Sequence, residues 1–173
     1  MSAINDIFLV DTNCFIAPYK QYYSFSIAPG FWTFLKKEIG NGNIMMLDLV
    51  YAEIKKGSDA LSDWIDGLGV VPVDRREPDI INAYKEVLTH VQTSPFYNEK
   101  ALAAWSDARR ADAWLVAAAK TYGYTVITFE ASNSSLGSGI SGSAKIPDVC
   151  AEFNVKCENL FYMLDKLRFS FPV

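Results

Sequence analysis

Four acidic residues occupy positions where carboxylates could act together on one substrate. Asp11 ends the apolar run at 7–10, and Glu130 ends a second apolar run at 126–129. Glu53 follows the second predicted strand, within two turns of a helix start. Asp112 stands at the leading end of an alanine-rich helical stretch. Because sites in parallel sheets form beyond the carboxyl ends of strands, these acids are candidates for one site.

Grouped carboxylates predict metal-dependent hydrolysis. Like charges repel and are costly to bury without cations, whereas divalent ions can activate water and stabilise charge on a phosphodiester. Each acid also has a structural alternative. Asp11 could cap the turn after its strand, Glu53 could be a solvated helix residue, and Glu130 could belong to an ordinary loop. Asp112 in an apolar stretch is harder to explain structurally. For Asp148, capping the next helical turn is favoured over metal binding.

The metal-ligating residue types narrow the chemistry further. His90 is the only histidine, so a histidine-rich metal site is excluded. The three cysteines, Cys14, Cys150 and Cys157, are odd in number and not closely paired, so we expect neither a disulfide framework nor a zinc site. Oxygen ligands remain, and these select hard cations such as Mg²⁺ or Mn²⁺.

The charge of the chain weighs mildly against tight, sequence-independent binding of nucleic acid. The net charge is −4 and the sequence pI is about 5.0. We expect the basic pairs to be solvated helix faces. These pairs are Lys36-Lys37, Lys55-Lys56, Arg75-Arg76 and Arg109-Arg110.

Alternating strands and helices predict one α/β domain over residues 1–173, with a mostly parallel sheet covered by helices on both sides. The predicted strands are 6–11, 43–47, 70–73, 124–129 and 155–157. The predicted helices are 31–39, 49–56, 58–65, 78–91, 101–122, 147–153 and 159–167. Asp48 is predicted to cap the second of these. The helix at 101–122 is either continuous or interrupted near residue 107. The serine- and glycine-rich segment 131–143 is predicted to be a loop.

Several stretches resemble the PIN domain family. Residues 9–13, Leu-Val-Asp-Thr-Asn, are similar to its opening motif, and Glu53, the block 111–117 and the strand end 128–130 are similar to its later acidic positions, in order. The stretches 22–25, 27–32 and 145–150 resemble a bacterial subgroup filed as a domain of unknown function. The resemblance spans nearly the whole chain and implies a PIN-like three-layer α/β/α sandwich.

The same resemblance implies a VapC-like toxin, a metal-dependent endoribonuclease that hydrolyses RNA with metal-activated water. Its metal, Mg²⁺ or Mn²⁺, would be held directly or through water by Asp11, Glu53, Asp112 and Glu130. Asn13 would orient Asp11 or the substrate, Thr128 would support the site, and Asp148 could assist or replace Glu130. The implied partners are RNA, a cognate antitoxin protein and a second copy of the chain in a homodimer.

Two other functions compete with this one. A haloacid-dehalogenase-type phosphatase needs a second acid two residues after Asp11, and Asn13 stands there instead. A catalytically weak or inactive PIN module that binds RNA or a protein partner is the alternative function. No apolar run approaches the length of a membrane helix, and residues 1–6 lack the features of a signal peptide, so we expect a cytoplasmic protein.

Overall fold

A computed structural model describes residues 6–171. It is a three-layer α/β/α sandwich built on a four-stranded parallel sheet, as predicted. The strands lie in the order β2-β1-β3-β4. Their bounds are β1 Phe8–Val10, β2 Ile44–Met45, β3 Thr125–Ile127 and β4 Cys157–Glu158. The expectation about a signal peptide concerns residues 1–6, and residues 1–5 lie outside the described part of the chain.

Helices account for most of the remaining regular structure. Their bounds are α1 Asn13–Ala17, continued by a π-helical turn at Pro18–Tyr22, α2 Pro29–Gly40, α3 Asp48–Lys55, α4 Ala60–Asp66, α5 Pro78–Thr93, α6 Glu99–Trp105, α7 Asp112–Tyr122, α8 Ile146–Glu152 and α9 Leu160–Lys166. Between residues 6 and 171, no helix combines the length and apolar character needed to cross a membrane.

The two central strands are buried on both faces. All three residues of β1 and all three of β3 are buried, which fits a parallel sheet enclosed by helices and explains their continuous apolar sequence. Val10 is paired with Ile127, so the two strands end at the same level. The residues that follow them therefore emerge side by side at one edge of the sheet.

Several predicted boundaries are wrong. The segment predicted as a strand at 70–73 forms a single bridge, Val73 to Leu47, and Val71 within it is largely exposed to solvent. Asp48 is the first residue of α3 rather than its cap, and it forms an ion pair with Arg75. In α4 the capping side chain is Asp59, which accepts hydrogen bonds from two backbone amides, so the helix begins after Ser58.

The alanine-rich segment is two helices rather than one. Asp107 accepts hydrogen bonds from the backbone and the guanidinium of Arg109, and these local contacts replace helical ones between α6 and α7. In α5 the buried residue near the start is Ile80, and Ile81 is only partly buried. The break before Asp112 matters most, because it makes this acid the first residue of a helix.

Candidate functional site

A cavity of about 340 Å³ lies beyond the carboxyl ends of β1 and β3. We call it the acidic cavity because its lining includes all four predicted carboxylates. These are Asp11, Glu53, Asp112 and Glu130, with Thr12, Asn13, Lys56, Arg109 and Arg110 among the other lining residues. Residues from distant parts of the sequence thus meet where the strand pattern predicts a site.

Asp11 is the most buried acid of the cavity, with 7% of its surface exposed. Its backbone amide continues the sheet by donating to the Ile127 carbonyl at 2.9 Å. The pKa of Asp11 is raised from 3.8 to about 6, chiefly by burial and also by the charges of Asp112 and Glu130. Hydrogen bonds from the Thr128 hydroxyl and the Thr12 backbone amide act in the opposite direction and lower it. Ionised Asp11 is therefore destabilised mainly by lost hydration.

Thr128 connects two of the acidic residues. Its hydroxyl donates to Asp11 Oδ2 at 3.0 Å and accepts from the backbone amide of Glu130 at 3.1 Å. Thr128 is itself buried, with 2% exposed, so this arrangement is fixed by packing at the end of β3. The Thr128 hydroxyl therefore links the Asp11 carboxylate to the backbone of Glu130.

Glu53 reaches the cavity from the exposed side of α3. The buried Thr12 hydroxyl donates to Glu53 Oε2 at 2.7 Å, across 41 positions of sequence. Thr12 was not among the predicted site residues. The only sequence signal for it was its place directly after Asp11, where a hydroxyl enters the same polar cluster.

Asp112 lies at the start of the 11-residue helix α7, where the helix dipole favours a negative charge. Burial nevertheless raises its pKa, and the nearby Glu130 and Glu53 add to this. Arg110 opposes the rise by charge and by a hydrogen bond, its Nη2 donating to Asp112 Oδ2 at 3.0 Å. Asp112 thus has a cationic partner, whereas within residues 6–171 Asp11 and Glu53 form no ion pair.

Glu130 is held by the segment that begins α8. Its Oε2 accepts the backbone amide of Ile146 at 2.9 Å, and its Oε1 lies 3.7 Å from Lys145 Nζ. The Glu130 side chain therefore joins the first residue of the loop to its last residue, Ile146. This contact positions Glu130 at the cavity, and it depends on residues 145–146 and not on the sequence around β3.

The remaining predicted site residues lie in two different places. Asn13, the first residue of α1, is exposed and lines the cavity. Asp148 does not belong to the cavity lining, and its Oδ2 accepts the backbone amide of Asn133 at 2.9 Å. Asp148 therefore holds the serine-rich loop against α8 from outside the cavity lining.

Three basic residues share the cavity with the carboxylates: Lys56, Arg109 and Arg110. Arg109 and Arg110 are exposed, as expected, but they lie in the connection between α6 and α7 and not on a helix face. Carboxylates and exposed cations that line one cavity suit an anionic ligand bound through a divalent ion.

The donor set fits a hard cation that retains water. Mg²⁺ is usually held by one or two carboxylates together with several waters, and the cavity offers carboxylates and the Asn13 amide. Within residues 6–171, no group of three or more His, Cys, Asp or Glu side chains is gathered so that it could hold a metal ion. Each of the four acids has a hydrogen-bond partner of its own. The residues fit a water-rich ion rather than a closed protein cage.

In a comparison with protein families, residues 8–171 match the family described as Domain of unknown function (DUF4411). The chain belongs to the DUF4411 family. The assignment to PIN domains and VapC-like toxins is therefore wrong: the matching family is a domain of unknown function, which agrees only with the wording attached to the resembling subgroup. Searches of curated proteins and of solved structures gave no match. The function of this DUF4411 protein must accordingly be argued from its site.

Proposed function

We propose that this DUF4411 protein is a Mg²⁺- or Mn²⁺-dependent endoribonuclease. The observation that carries the proposal is the acidic cavity itself, where four carboxylates from separate elements meet three cations at the end of a parallel sheet. A divalent ion bound there would lower the pKa of its water and offset charge on a phosphodiester. The raised pKa values of Asp11 and Asp112 support this, since a cation would relieve the cost of ionising them.

The chain's own residues would divide the remaining work. Asp11 and Asp112 are the best-placed ligands, because they are the more buried acids and lie directly after β1 and at the start of α7. Glu53, held by Thr12, is exposed and could accept a proton from an ordered water. Lys56 and Arg109 would bind phosphate oxygens on either side of the bond that is cleaved.

RNA is the substrate that we propose, for reasons of shape. A cavity of about 340 Å³ accommodates part of one strand and not a duplex. Accessible single-stranded segments are characteristic of RNA loops and ends. The net charge of −4 also indicates recognition confined to this site and not spread over a basic surface. Single-stranded DNA is the competing substrate that the test must include.

The test is cleavage of an end-labelled single-stranded RNA and of DNA with the same sequence, in Mg²⁺, in Mn²⁺ and in EDTA. We expect RNA cleavage only with a divalent ion. Asp11→Asn and Asp112→Asn should each lower the cleavage rate by at least about 100-fold. This is the largest loss found when a residue that only supports a metal ligand is replaced, and a ligand itself should matter at least as much. Asp165→Asn, an exposed acid of α9 outside the cavity lining, is the matched control. Cleavage that persists in both cavity variants, or in EDTA, would contradict the proposal.

A second candidate is a catalytically inactive module that binds RNA or a protein. The ion pairs of Arg110 with Asp112 and of Lys145 with Glu130 favour it, because cations of the protein already neutralise two of the acids. In that case wild-type protein would bind RNA without cleaving it. A cytoplasmic location, a toxin role with an antitoxin partner and a homodimer stay predictions.

A further inference from the structure

Arg110 forms a contact that no other cation of the acidic cavity makes among the described residues. Its guanidinium donates to Asp112 Oδ2 at 3.0 Å, while about half of the Arg110 side chain, 54%, stays exposed. The Asp112 side chain is much less exposed, at 22%. The contact thus occupies one oxygen of an acid that the proposed function assigns to a divalent ion.

The neighbouring arginine has a different partner. Arg109 also lines the cavity, but its guanidinium donates twice to Asp107, on the connection from α6, and 88% of its side chain is exposed. Outside the cavity lining, Arg76 makes the same arrangement with Asp74. The two arginines at 109 and 110 therefore carry the same charge at the same cavity, and only Arg110 engages one of its four carboxylates.

We propose that Arg110 competes with the divalent ion for Asp112 and, once displaced, binds a phosphate group of the RNA. The inference rests on the proposed function. A guanidinium and a divalent cation repel each other, so both are not favoured on one carboxylate. The displaced side chain is long, largely exposed and anchored at the cavity, which lets its fork of donors meet phosphate oxygens. Metal binding would thereby release a residue for substrate binding.

The two roles predict opposite effects of one substitution. In Arg110→Gln the competitor is lost, so Mn²⁺ should bind about threefold more tightly, within the range expected for a partly exposed ion pair. The same variant lacks a phosphate partner, so RNA should bind more weakly. The slope of log affinity against log salt concentration should become shallower by about 0.7, the value for one phosphate contact to a single strand.

The experiment measures Mn²⁺ binding by calorimetry and RNA binding by fluorescence anisotropy. The anisotropy uses a labelled single-stranded RNA with Ca²⁺ in the cold, and a gel confirms that the RNA stays intact. Arg76→Gln is the matched control for both measurements, since Arg76 and its partner Asp74 do not line the cavity. Arg109→Gln removes the same charge from the cavity without freeing one of its four carboxylates. We expect Arg76→Gln to leave both quantities unchanged and Arg109→Gln to raise Mn²⁺ affinity less than Arg110→Gln does.

The results distinguish a failure of the role of Arg110 from a failure of the proposed function. If wild-type protein binds Mn²⁺ and Arg110→Gln binds it equally or more weakly, competition by Arg110 is wrong while the proposed function stands. An unchanged salt slope in Arg110→Gln would overturn the phosphate contact. If wild-type protein binds no Mn²⁺ at all, the proposed function and this inference both fail.

Discussion

Replacing Asp11 with asparagine should stabilise the protein at neutral pH. A carboxyl whose pKa is higher in the folded chain than in the unfolded chain binds a proton more tightly when folded. Its favourable contribution is therefore complete below the unfolded value of 3.8 and is lost as the pH rises through about 6. Above that pH the folded chain carries a buried, poorly hydrated charge at Asp11, and asparagine removes it.

The size of the effect follows from the same values. The difference between 3.8 and about 6 corresponds to about 3 kcal/mol at pH 7.5. Asparagine keeps an oxygen for the Thr12 amide but must reorganise its hydrogen bond with Thr128, at a cost of about 1 kcal/mol. The net gain of about 2 kcal/mol should raise Tm by roughly 6 °C for a chain of this size.

Thermal unfolding without divalent ions at pH 7.5 and at pH 4 measures this directly. We expect Asp11→Asn to be more stable than wild type at pH 7.5 and to lose that advantage at pH 4. Asp66→Asn is a control of opposite sign, because hydrogen bonds from Lys55 and Tyr51 lower the pKa of Asp66, and its loss should destabilise the protein at pH 7.5. A lower Tm for Asp11→Asn at pH 7.5 would mean that its hydrogen bonds outweigh its charge, and the reasoning would be refuted.

Three further predictions concern function. Cleavage at subsaturating Mg²⁺ should rise with pH through about 6 as Asp11 ionises. Thr128→Val removes a hydrogen bond that lowers the pKa of Asp11, so in this variant the rise should occur at higher pH. An unchanged pH profile would exclude Asp11 as the titrating group. Thr12→Val should slow cleavage about tenfold by freeing Glu53, the proposed proton acceptor, whereas Thr33→Val, which loses only a bond to a backbone carbonyl in α2, should not; equal cleavage rates would contradict the role of Thr12. Expression of the wild-type chain should arrest growth through loss of cellular RNA, and Asp11→Asn should relieve it; equal growth curves would favour the inactive module.

The acids of the cavity that follow strands could be predicted from the sequence. Asp11 and Glu130 each follow an apolar run, and parallel strands of equal register bring such positions together. Asp112 was recognisable because an acid is unexpected in an alanine-rich stretch. These inferences needed only the pattern of apolar residues and the rule that the carboxyl ends of parallel strands lie at the same edge of the sheet.

The contacts between distant segments could not be predicted in this way. Thr12 meets Glu53, and the Ile146 amide meets Glu130, only because tertiary packing brings these segments together. The position of Arg110 depends on the turn at Asp107, where a side chain replaces helical hydrogen bonds. The family assignment failed for a related reason, since short acidic motifs at strand ends reflect the geometry of parallel sheets and do not by themselves identify a family.

The most direct test of the central claim is anomalous diffraction from crystals soaked in Mn²⁺. We predict a peak in the acidic cavity within coordination distance of Asp11 and Asp112, at roughly the 2.0–2.1 Å typical of small hard cations or slightly beyond. The peak should be absent in Asp11→Asn crystals treated identically. A cavity without a peak at saturating Mn²⁺, or a peak bound only elsewhere on the protein, would contradict the assignment of these carboxylates to a metal.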